Sequence, residues 1–351
     1  MPQKHGNYPR LSDRQAVVFT SLLQEYVVTA RAVGSRTLAR RLGSDISPAT
    51  IRNTMSDLEE MGLLTHMHTS AGRVPTTQGY GLYVDLLMDR VEVSQEARDH
   101  LRQAIGDQAI GGLPDLLDRA SEALAHTSAL ISVVLTPQLA GGILHKIDLV
   151  RIATGRLLVV LTIRHGFVHS ILLEISSSIK DSEIEASTRL LNQRLSGLRL
   201  DEVKRSITTR LSGAREASSP LIKLVVNSAD QIFADRSNSE LHVDGTPNVL
   251  QHPEFADLDR MRGVIEILQD REVILHVLGG GEHETADGVR ISIGEEVPAE
   301  NLQGCSVVAA AYSIGDTEGA LGIIGPTRMD YARLVPLVNF AATAIKTRLE
   351  D

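Results

Sequence analysis

The spacing of apolar residues predicts three helices at the start of the chain. A first helix begins near Ser12, and a second, shorter helix ends at Gly43. A third helix follows Ser47, a favourable N-cap residue, with Pro48 at its first helical position, and it ends at Gly62. The pattern therefore indicates a small helical unit at the N-terminus.

The third helix has two unlike faces. At helical spacing, Ile51, Met55 and Leu58 fall on one side. The other side carries small, polar and charged residues, namely Ala49, Arg52, Asn53, Ser56 and Glu60. One face is therefore expected to pack in a core, and the other is expected to stay exposed.

A hairpin is predicted directly after this helix. Leu63 and Leu64 lead into a strand, residues 69–72 form a turn, and residues 73–76 return. Three helices followed by a hairpin form the winged variant of the helix-turn-helix. A further helix at 76–90 is expected to join this unit to the rest of the chain.

The rest of the chain mixes strands and helices. The predicted strands lie at 129–135, 143–152, 157–163, 167–175, near Leu241, and at 273–278, 289–293, 305–312 and 319–324. The predicted helical stretches are 114–127, 181–235 and 330–349. Short turns separate the strands between 143 and 175, which indicates an antiparallel meander. GGGEHETADG, residues 279–288, falls between predicted strands and is expected to be a loop.

This order of elements predicts an α+β protein. A winged-helix domain with its linker helix occupies residues 1–90. A sheet domain is formed by residues 91–178 and 248–351, and a helical domain at 179–247 is inserted into it. The insertion is inferred because the helical stretch interrupts a series of strands.

Composition places the chain among ordinary globular proteins, with 351 residues, 42% of them hydrophobic. No apolar run is long enough to cross a membrane and the N-terminus lacks a signal peptide, so a cytoplasmic location is expected. A single cysteine, Cys305, excludes an internal disulfide, and its apolar surroundings indicate a core position.

Charge is distributed unevenly along the chain, whose net charge is -9. Residues 1–80 contain nine Lys and Arg against six Asp and Glu, whereas the remaining residues contain 26 against 38. A mildly basic N-terminal unit beside an acidic remainder is typical of a protein that binds nucleic acid through one domain.

The exposed face of the third helix offers side chains that bind DNA. Arg52 suits guanine and Asn53 suits adenine, while Thr50 and Ser56 suit bases or phosphates. Four residues of the preceding helix are expected to hold the DNA backbone: Arg36, Thr37, Arg40 and Arg41. Gly72 and Arg73, expected at the tip of the hairpin, suit a wing that approaches the minor groove or a phosphate.

Each of these features also has a structural explanation without a ligand. A helix with a polar face is usually just solvated, and an arginine at a turn is usually just exposed. His66 and His68 have no third ligand nearby for a metal. In GPTRMDY, residues 325–331, Pro326 as a turn and Asp330 as a helix cap account for the pattern without an anion. No catalytic motif and no cofactor-binding motif is present, so we predict neither an enzyme nor a cofactor.

Three stretches resemble a known family. VGSRTLARRLGSDISPATIRNTMSDLEEMGLLTHMHTSAGRVPTTQGYGLYVD, residues 33–85, is similar to the N-terminal signature of the heat-inducible transcription repressor HrcA family. CSVVAAAY and GALGIIGPTRMDY, near the C-terminus, resemble that family's C-terminal signature. The resemblance covers essentially the whole chain.

The resemblance implies a winged helix, a GAF-like domain and an inserted dimerising domain. It also implies a dimeric bacterial repressor, found at the nucleoid when bound to its operator. This operator is an inverted repeat, the CIRCE element, ahead of chaperone operons, and the GroEL chaperonin maintains the repressor's activity. The family's operator contacts would fall here on Ser47, Thr50, Arg52, Asn53, Ser56, Ser70, Gly72 and Arg73.

Two other functions remain open at this point. One is an enzyme with a DNA-binding domain, as in the biotin ligase repressors, although no nucleotide-binding glycine-arginine loop is visible. The other is a regulator that senses a metabolite through the GAF-like domain.

Overall fold

The computed structural model describes residues 8–43, 46–66, 72–106, 112–137, 141–164, 168–212, 219–233, 241–256, 258–302, 304–315 and 317–350. Its helices are α1 (Asp13–Thr29), α2 (Ser35–Leu42), α3 (Pro48–Glu60), α4 (Thr77–Leu82), α5 (Gln95–Gly106), α6 (Gly112–Ser128), α7 (Asp181–Leu195), α8 (Leu200–Leu211), α9 (Pro220–Asn227), α10 (Ala229–Ile232), α11 (Thr246–Val249), α12 (Leu258–Gln269), α13 (Arg271–Gly279) and α14 (Tyr331–Glu350). Its strands are β1 (Leu64–His66), β2 (Arg73–Pro75), β3 (Ile131–Leu135), β4 (Leu144–Ala153), β5 (Arg156–Ile163), β6 (Val168–Glu174), β7 (Leu241–Asp244), β8 (His283–Glu284), β9 (Val289–Ile293), β10 (Cys305–Ile314) and β11 (Thr317–Pro326). The mixture confirms the predicted α+β class.

The first three helices and the hairpin β1–β2 form the predicted winged helix-turn-helix. Ser12 caps α1 through a reciprocal capping box with Gln15. Phe19, Leu38 and Leu58, one from each helix, are fully buried and form part of the shared core. The connecting helix is shorter than predicted, because α4 changes at Tyr83 into a π-helix, Tyr83–Leu87.

The chain folds into two compact units. The first comprises residues 1–134, 241–311 and 320–345, and the second comprises 135–240, 312–319 and 346–351. We call the winged helix with α4 and the π-helix (residues 8–87) the head, and the remaining residues of the first unit the body.

A six-stranded sheet has the strand order β7-β3-β11-β10-β9-β8. Strand β9 pairs antiparallel with both β8 and β10. Cys305, on β10, is 2% exposed, as its apolar surroundings indicated. Among the described helices, none has the length and apolar character that spanning a membrane requires.

The strand predicted at 273–278 is instead the helix α13. The β-branched residues in this stretch suggested a strand, but Asp270 accepts hydrogen bonds from the backbone N–H groups of Glu272 and Val273 and caps a helix. Ile274, Val277 and Leu278 then lie on one helical face and are buried. Helices α5 and α12 were not predicted.

The second unit also differs from the predicted domain division. Strands β4, β5 and β6 form the predicted antiparallel meander, and the helices α7 to α10 lie where the helical stretch was expected. However, the inner face of these strands and the helices α7–α10 share one hydrophobic core, with Leu157 and Leu191 both fully buried in it. The strands therefore belong with the helices in the unit that begins at 135, not with the sheet domain that was expected to extend to 178.

Candidate DNA-binding interface

Helix α3 presents the predicted polar face. Ile51, Met55 and Leu58 are at most 4% exposed, so they hold the helix in the core of the head. Arg52 and Asn53 are exposed on the opposite side. Ser47 is exposed as well, whereas Thr50 and Ser56 are partly buried. This face carries side chains that donate to and accept from base edges, at the position of the recognition helix in a helix-turn-helix.

The N-terminus of α3 is fixed by its cap. The hydroxyl of Ser47 accepts a hydrogen bond of 3.1 Å from the backbone N–H of Thr50, and Pro48 occupies the first turn. The Ser47 hydroxyl also lies 2.9 Å from the Thr50 hydroxyl. The cap thus satisfies a backbone donor that the helix leaves free and sets where the polar face begins.

We expect Ser47→Ala to lower the free energy of unfolding by about 1 kcal/mol, because the backbone donor loses its partner. Urea unfolding followed by circular dichroism measures this loss. Ser56→Ala on the same helix is the matched control, and we expect it to change stability by less than about 0.5 kcal/mol. Equal effects of the two substitutions would contradict a capping role for Ser47.

Helix α2 provides the cationic groups beside α3. Arg36 and Arg40 are exposed and Thr37 is partly buried. Arg41 is exposed as well, but its guanidinium is engaged within the head by a 2.7 Å ion pair with Glu25 and a 3.2 Å hydrogen bond with Gln24. Of the four residues predicted to hold the DNA backbone, Arg36 and Arg40 are therefore the best placed.

The hairpin differs from expectation at Arg73. Its backbone lies as predicted, since Arg73 opens the return strand opposite His66, next to the turn, but its side chain does not project freely. Its side chain is 16% exposed, and its Nε donates a 2.7 Å hydrogen bond to Glu59 at the end of α3. His66 also contacts Glu59, so this carboxylate fastens both strands to α3.

Gly72 was predicted to let the hairpin approach DNA, and in the structure it lies against Ala32 of the head. A Cβ atom at this position would lie 2.6 Å from the carbonyl carbon of Ala32, so the missing side chain lets the hairpin pack on the head itself. Ser70 and His68 lie outside the described residues.

A buried polar cluster joins the head to the body, and the sequence analysis did not anticipate it. We call Tyr8, Asp85, His283 and Glu296 the linker cluster. Nδ1 of His283 lies 3.0 Å from both carboxylate oxygens of Asp85, which belongs to the π-helix. Nε2 lies 3.2 Å from Glu296, and the Tyr8 hydroxyl donates a 3.0 Å hydrogen bond to Asp85. Residue 283 falls in the glycine-rich stretch that was predicted to be a loop.

The two carboxylates keep His283 protonated. Burial alone would lower the pKa of the imidazole, but the hydrogen bonds and charges of Asp85 and Glu296 outweigh burial and raise the pKa to about 9. Burial and the charge of Asp85 raise the pKa of the Tyr8 hydroxyl, which therefore stays protonated as a donor. At neutral pH both nitrogens of His283 donate.

This raised pKa predicts a loss of stability in alkaline solution. A histidine whose pKa is higher in the folded than in the unfolded state contributes to the free energy of unfolding. This contribution is complete below the unfolded pKa, near 6.5, and it is lost as the pH rises through the folded pKa of about 9. Between pH 7.5 and 9 we expect the free energy of unfolding to fall by about 1 to 2 kcal/mol more in the wild type than in His283→Gln. The free energy of unfolding is measured by urea unfolding at each pH. If it depends on pH in the same way in the two proteins, the assignment of the raised pKa to His283 is contradicted.

Arg328 forms a second junction between body and head. In what we call the Arg328 cluster, its guanidinium forms two hydrogen bonds with the carboxylate of Glu254 and lies 3.2 Å from Nδ1 of His252. Burial and the charge of Arg328 lower the pKa of His252, so this nitrogen accepts. Nη1 of Arg328 also donates a 2.9 Å hydrogen bond to the carbonyl oxygen of Val27, in the last turn of α1.

Within the described ranges, no group of three or more His, Cys, Asp or Glu is placed to hold a metal ion. Asp330 caps α14 by accepting from the N–H of Arg333, and the guanidinium of Arg328 pairs with Glu254. The GPTRMDY stretch therefore joins elements of the fold.

Comparison with known proteins identifies the family of the chain. The model of the winged helix-turn-helix transcription repressor HrcA DNA-binding domain matches residues 10–84, and that of the HrcA protein C-terminal domain matches residues 114–335. The heat-inducible transcription repressor HrcA of Chlorobium phaeobacteroides (strain BS1) is 38% identical over 352 residues, covering 97% of this chain and 98% of that protein. That of Syntrophobacter fumaroxidans is 34% identical, covering 97% of this chain and 98% of that protein.

Among solved structures, one described as a hypothetical protein at 2.2 Å resolution superposes with a TM-score of 0.59 at 20% identity. The superposition covers 97% of this chain and 99% of the solved chain. At this identity the likeness supports only the fold. The two family models and the full-length relatives together establish that the chain belongs to the HrcA family of heat-inducible transcription repressors, with a DNA-binding winged-helix domain.

Proposed function

We propose that this repressor binds an inverted-repeat operator of the CIRCE type as a homodimer, with one α3 in the major groove of each half-site. The observation that carries the proposal is the exposed polar face of α3, with Arg52 and Asn53 at its centre. Arg52 pairs with guanine and Asn53 with adenine, while Ser47, Thr50 and Ser56 contact neighbouring bases or phosphates. Its site of action is the nucleoid of the bacterial cytoplasm, where operator DNA lies.

The residues around α3 hold the DNA backbone in this proposal. Arg36 and Arg40 bind phosphates beside the groove, with Thr37 and Arg41 at the edge of the contact. Arg73 and Gly72 place the wing, since one pairs with Glu59 and the other packs on Ala32. The acidic remainder of the chain repels DNA elsewhere and favours contact through the head.

A dimer is supported by the outer face of the three-stranded sheet in the second unit. Val150, Leu158 and Leu172 lie side by side across β4, β5 and β6. Val150 and Leu172 are 45% and 44% exposed, and Ile152 and Val168 on the same sheet are 52% and 63% exposed. The solvent face of an antiparallel sheet is normally polar, so an apolar face of this kind favours contact with a second copy.

One winged helix offers too few contacts for strong specific binding. Two heads related by a two-fold axis contact two half-sites, and the inverted repeat has the same symmetry. A titration that compares the full inverted repeat with a single half-site in a duplex of equal length tests this arrangement. We expect one dimer per full site and much weaker binding to the half-site; equal affinity for the two duplexes would exclude a two-headed complex.

We also propose that the GroEL chaperonin maintains the active repressor. On heat shock, unfolded proteins occupy the chaperonin, the repressor loses this assistance, and the chaperone operons are released. Repressor diluted from denaturant tests this part. Chaperonin with ATP is expected to increase the fraction that binds the operator, and an unchanged fraction would leave the repressor proposal standing while removing the chaperonin from it.

A second candidate function is a DNA-binding regulator gated by a metabolite. The observation in its favour is an open cleft of about 570 Å³ in the body, lined by polar side chains of α5, α6 and the segment after β7. His100 and His126 meet edge to face there, with ring centroids 4.9 Å apart. A cellular metabolite extract that raises the melting temperature and changes operator affinity would favour this candidate over the chaperonin.

A further inference from the structure

We propose that His283 and Arg328 are positioning residues for DNA binding: from the body, they hold the head at two separate points and so fix the angle at which α3 faces the duplex. The expected effect on DNA binding rests on the proposed function, the two-headed operator complex. The contacts themselves belong to one compact unit of one chain.

The first point is the linker cluster. Asp85 comes from the π-helix that ends the head, whereas His283 and Glu296 come from the body. The side chains of His283, Asp85 and Glu296 are 6%, 14% and 22% exposed, so water competes little with their hydrogen bonds. Only the charged imidazolium can donate to both carboxylates at once, because a neutral ring has one donor. The protonated ring therefore ties the linker to the body.

The fit around His283 is close on the side of the head. A Cβ atom at Gly81 in α4 would lie 2.9 Å from Cε1 of His283 and 2.7 Å from the Tyr8 hydroxyl. Helix α4 thus lies directly against the imidazole and the tyrosine. Any rotation of the head about the linker would separate α4 from the imidazole.

The second point is Arg328. Its side chain is 12% exposed, and it joins Glu254 in the body to the carbonyl oxygen of Val27 in α1. The last carbonyl groups of a helix lack partners within the helix, and a cation there also interacts favourably with the helix dipole. Arg328 therefore holds the end of α1, an element distinct from the linker.

Two contacts on different elements restrict the head more than one contact can. A head held only at the linker could pivot about it, whereas a second contact at the end of α1 removes that freedom. The stretch after the π-helix also follows the body, since the N–H of Val91 donates a 3.0 Å hydrogen bond to the carbonyl oxygen of Ala332. The orientation of α3 is thus set by the body.

This orientation matters because a dimer must place two copies of α3 at the separation of the half-sites. If the heads move freely, only a fraction of molecules is competent, and apparent affinity falls by that fraction. A competent fraction of about one tenth would weaken operator binding about tenfold. Binding to phosphates without sequence preference would change little, because the cationic side chains remain.

The direct test measures the distance between the head and the body by pulsed electron paramagnetic resonance. Spin labels are attached to cysteines introduced at Asp57 in α3 and Gln269 in α12, both exposed, while Cys305 is buried. Labelled protein is diluted with unlabelled protein, so that only distances within one chain contribute. The wild type is expected to give one narrow distance distribution, and the variants His283→Gln, Asp85→Asn and Arg328→Gln are expected to broaden it.

Matched controls replace exposed residues of the same types in the body. His276→Gln and Arg262→Gln are expected to leave the distribution narrow. Arg328→Lys, which keeps the charge but loses the forked hydrogen bonds, is expected to fall between the wild type and Arg328→Gln. Distributions that stay narrow in all the cluster variants would overturn the proposal.

A wild-type measurement covers the case in which a variant does not fold. Raising the pH from 7.5 to 10 removes the proton from His283, while the raised pKa of the Tyr8 hydroxyl keeps that group protonated. The distance distribution is expected to broaden over this range as the ring loses one donor. A distribution that does not change with pH would remove His283 from the proposal.

The DNA readout separates this proposal from the operator proposal. The assay uses duplexes that differ only in the spacing of the two half-sites, and the wild type is expected to prefer one spacing. At that spacing, the variants of the two clusters are expected to bind about tenfold more weakly than the wild type. They are also expected to lose the preference for one spacing. If the wild type itself shows no preference for any inverted repeat, the operator proposal fails. If the wild type shows it and the variants retain it, the positioning role fails.

Discussion

Replacing Val150 and Leu172 by aspartate is expected to convert the protein into a monomer and to weaken its binding to the inverted repeat by about 10²- to 10⁴-fold. Both side chains are nearly half exposed on the outer face of β4–β6, so a charge is tolerated in the monomer. In the dimer, the same charge would be buried without a partner, which is costly. Loss of the dimer removes the second half-site contact.

Analytical ultracentrifugation and operator titration measure the two effects together. Leu250→Asp is the matched control, because Leu250 is 64% exposed and belongs to the first unit, not to this sheet. We expect it to leave the dimer and the affinity unchanged. A double variant that stays dimeric at low micromolar concentration would place the interface elsewhere in the chain.

Replacing Arg52 by alanine is expected to weaken operator binding by about 1 to 3 kcal/mol and to relax the base preference at one position of each half-site. In the proposed complex, the substitution removes a bidentate contact with guanine, and no neighbouring side chain of α3 has the same forked donors. Binding to random duplex is expected to change little, because the proposed phosphate contacts of Arg36 and Arg40 do not involve Arg52.

Fluorescence anisotropy with the operator and with a random duplex, over a range of salt concentrations, separates the two kinds of contact. Arg14→Ala is the matched control, since Arg14 is exposed in the first turn of α1 and lies outside the predicted interface. Equal losses on the two duplexes, with a shallower salt dependence, would place Arg52 on a phosphate.

Local patterns predicted the interface helix well. The buried positions of α3, its Ser47 cap and its Pro48 start all follow from spacing and from short-range backbone chemistry, and the structure confirms them. The strands β4–β6 were also predicted within two residues of their ends, because alternation and short turns are local signals. By contrast, the β-branched residues of α13 were ambiguous between strand and helix, and the Asp270 cap decided for the helix.

Long-range contacts explain what the sequence could not show. Asp85 and His283 are separated by 198 positions, and Val27 and Arg328 by 301. No periodicity in the sequence connects such pairs. For this reason the glycine-rich stretch around His283 indicated only a loop. Similarly, Gly72 indicated a turn, and the pairing of β1 with β2 does place Arg73 beside that turn, but no local pattern indicated that its side chain pairs with Glu59.

The most direct test of the central claim, that this chain is a sequence-specific operator-binding repressor, is a titration of the refolded, chaperonin-treated protein. It uses the CIRCE inverted repeat and a scrambled duplex of equal length, each at several salt concentrations. The account predicts affinity for the repeat about 10³-fold or more above that for the scrambled duplex at physiological salt. Equal affinities with parallel salt dependences would mean that the head binds phosphates alone, and would contradict the account.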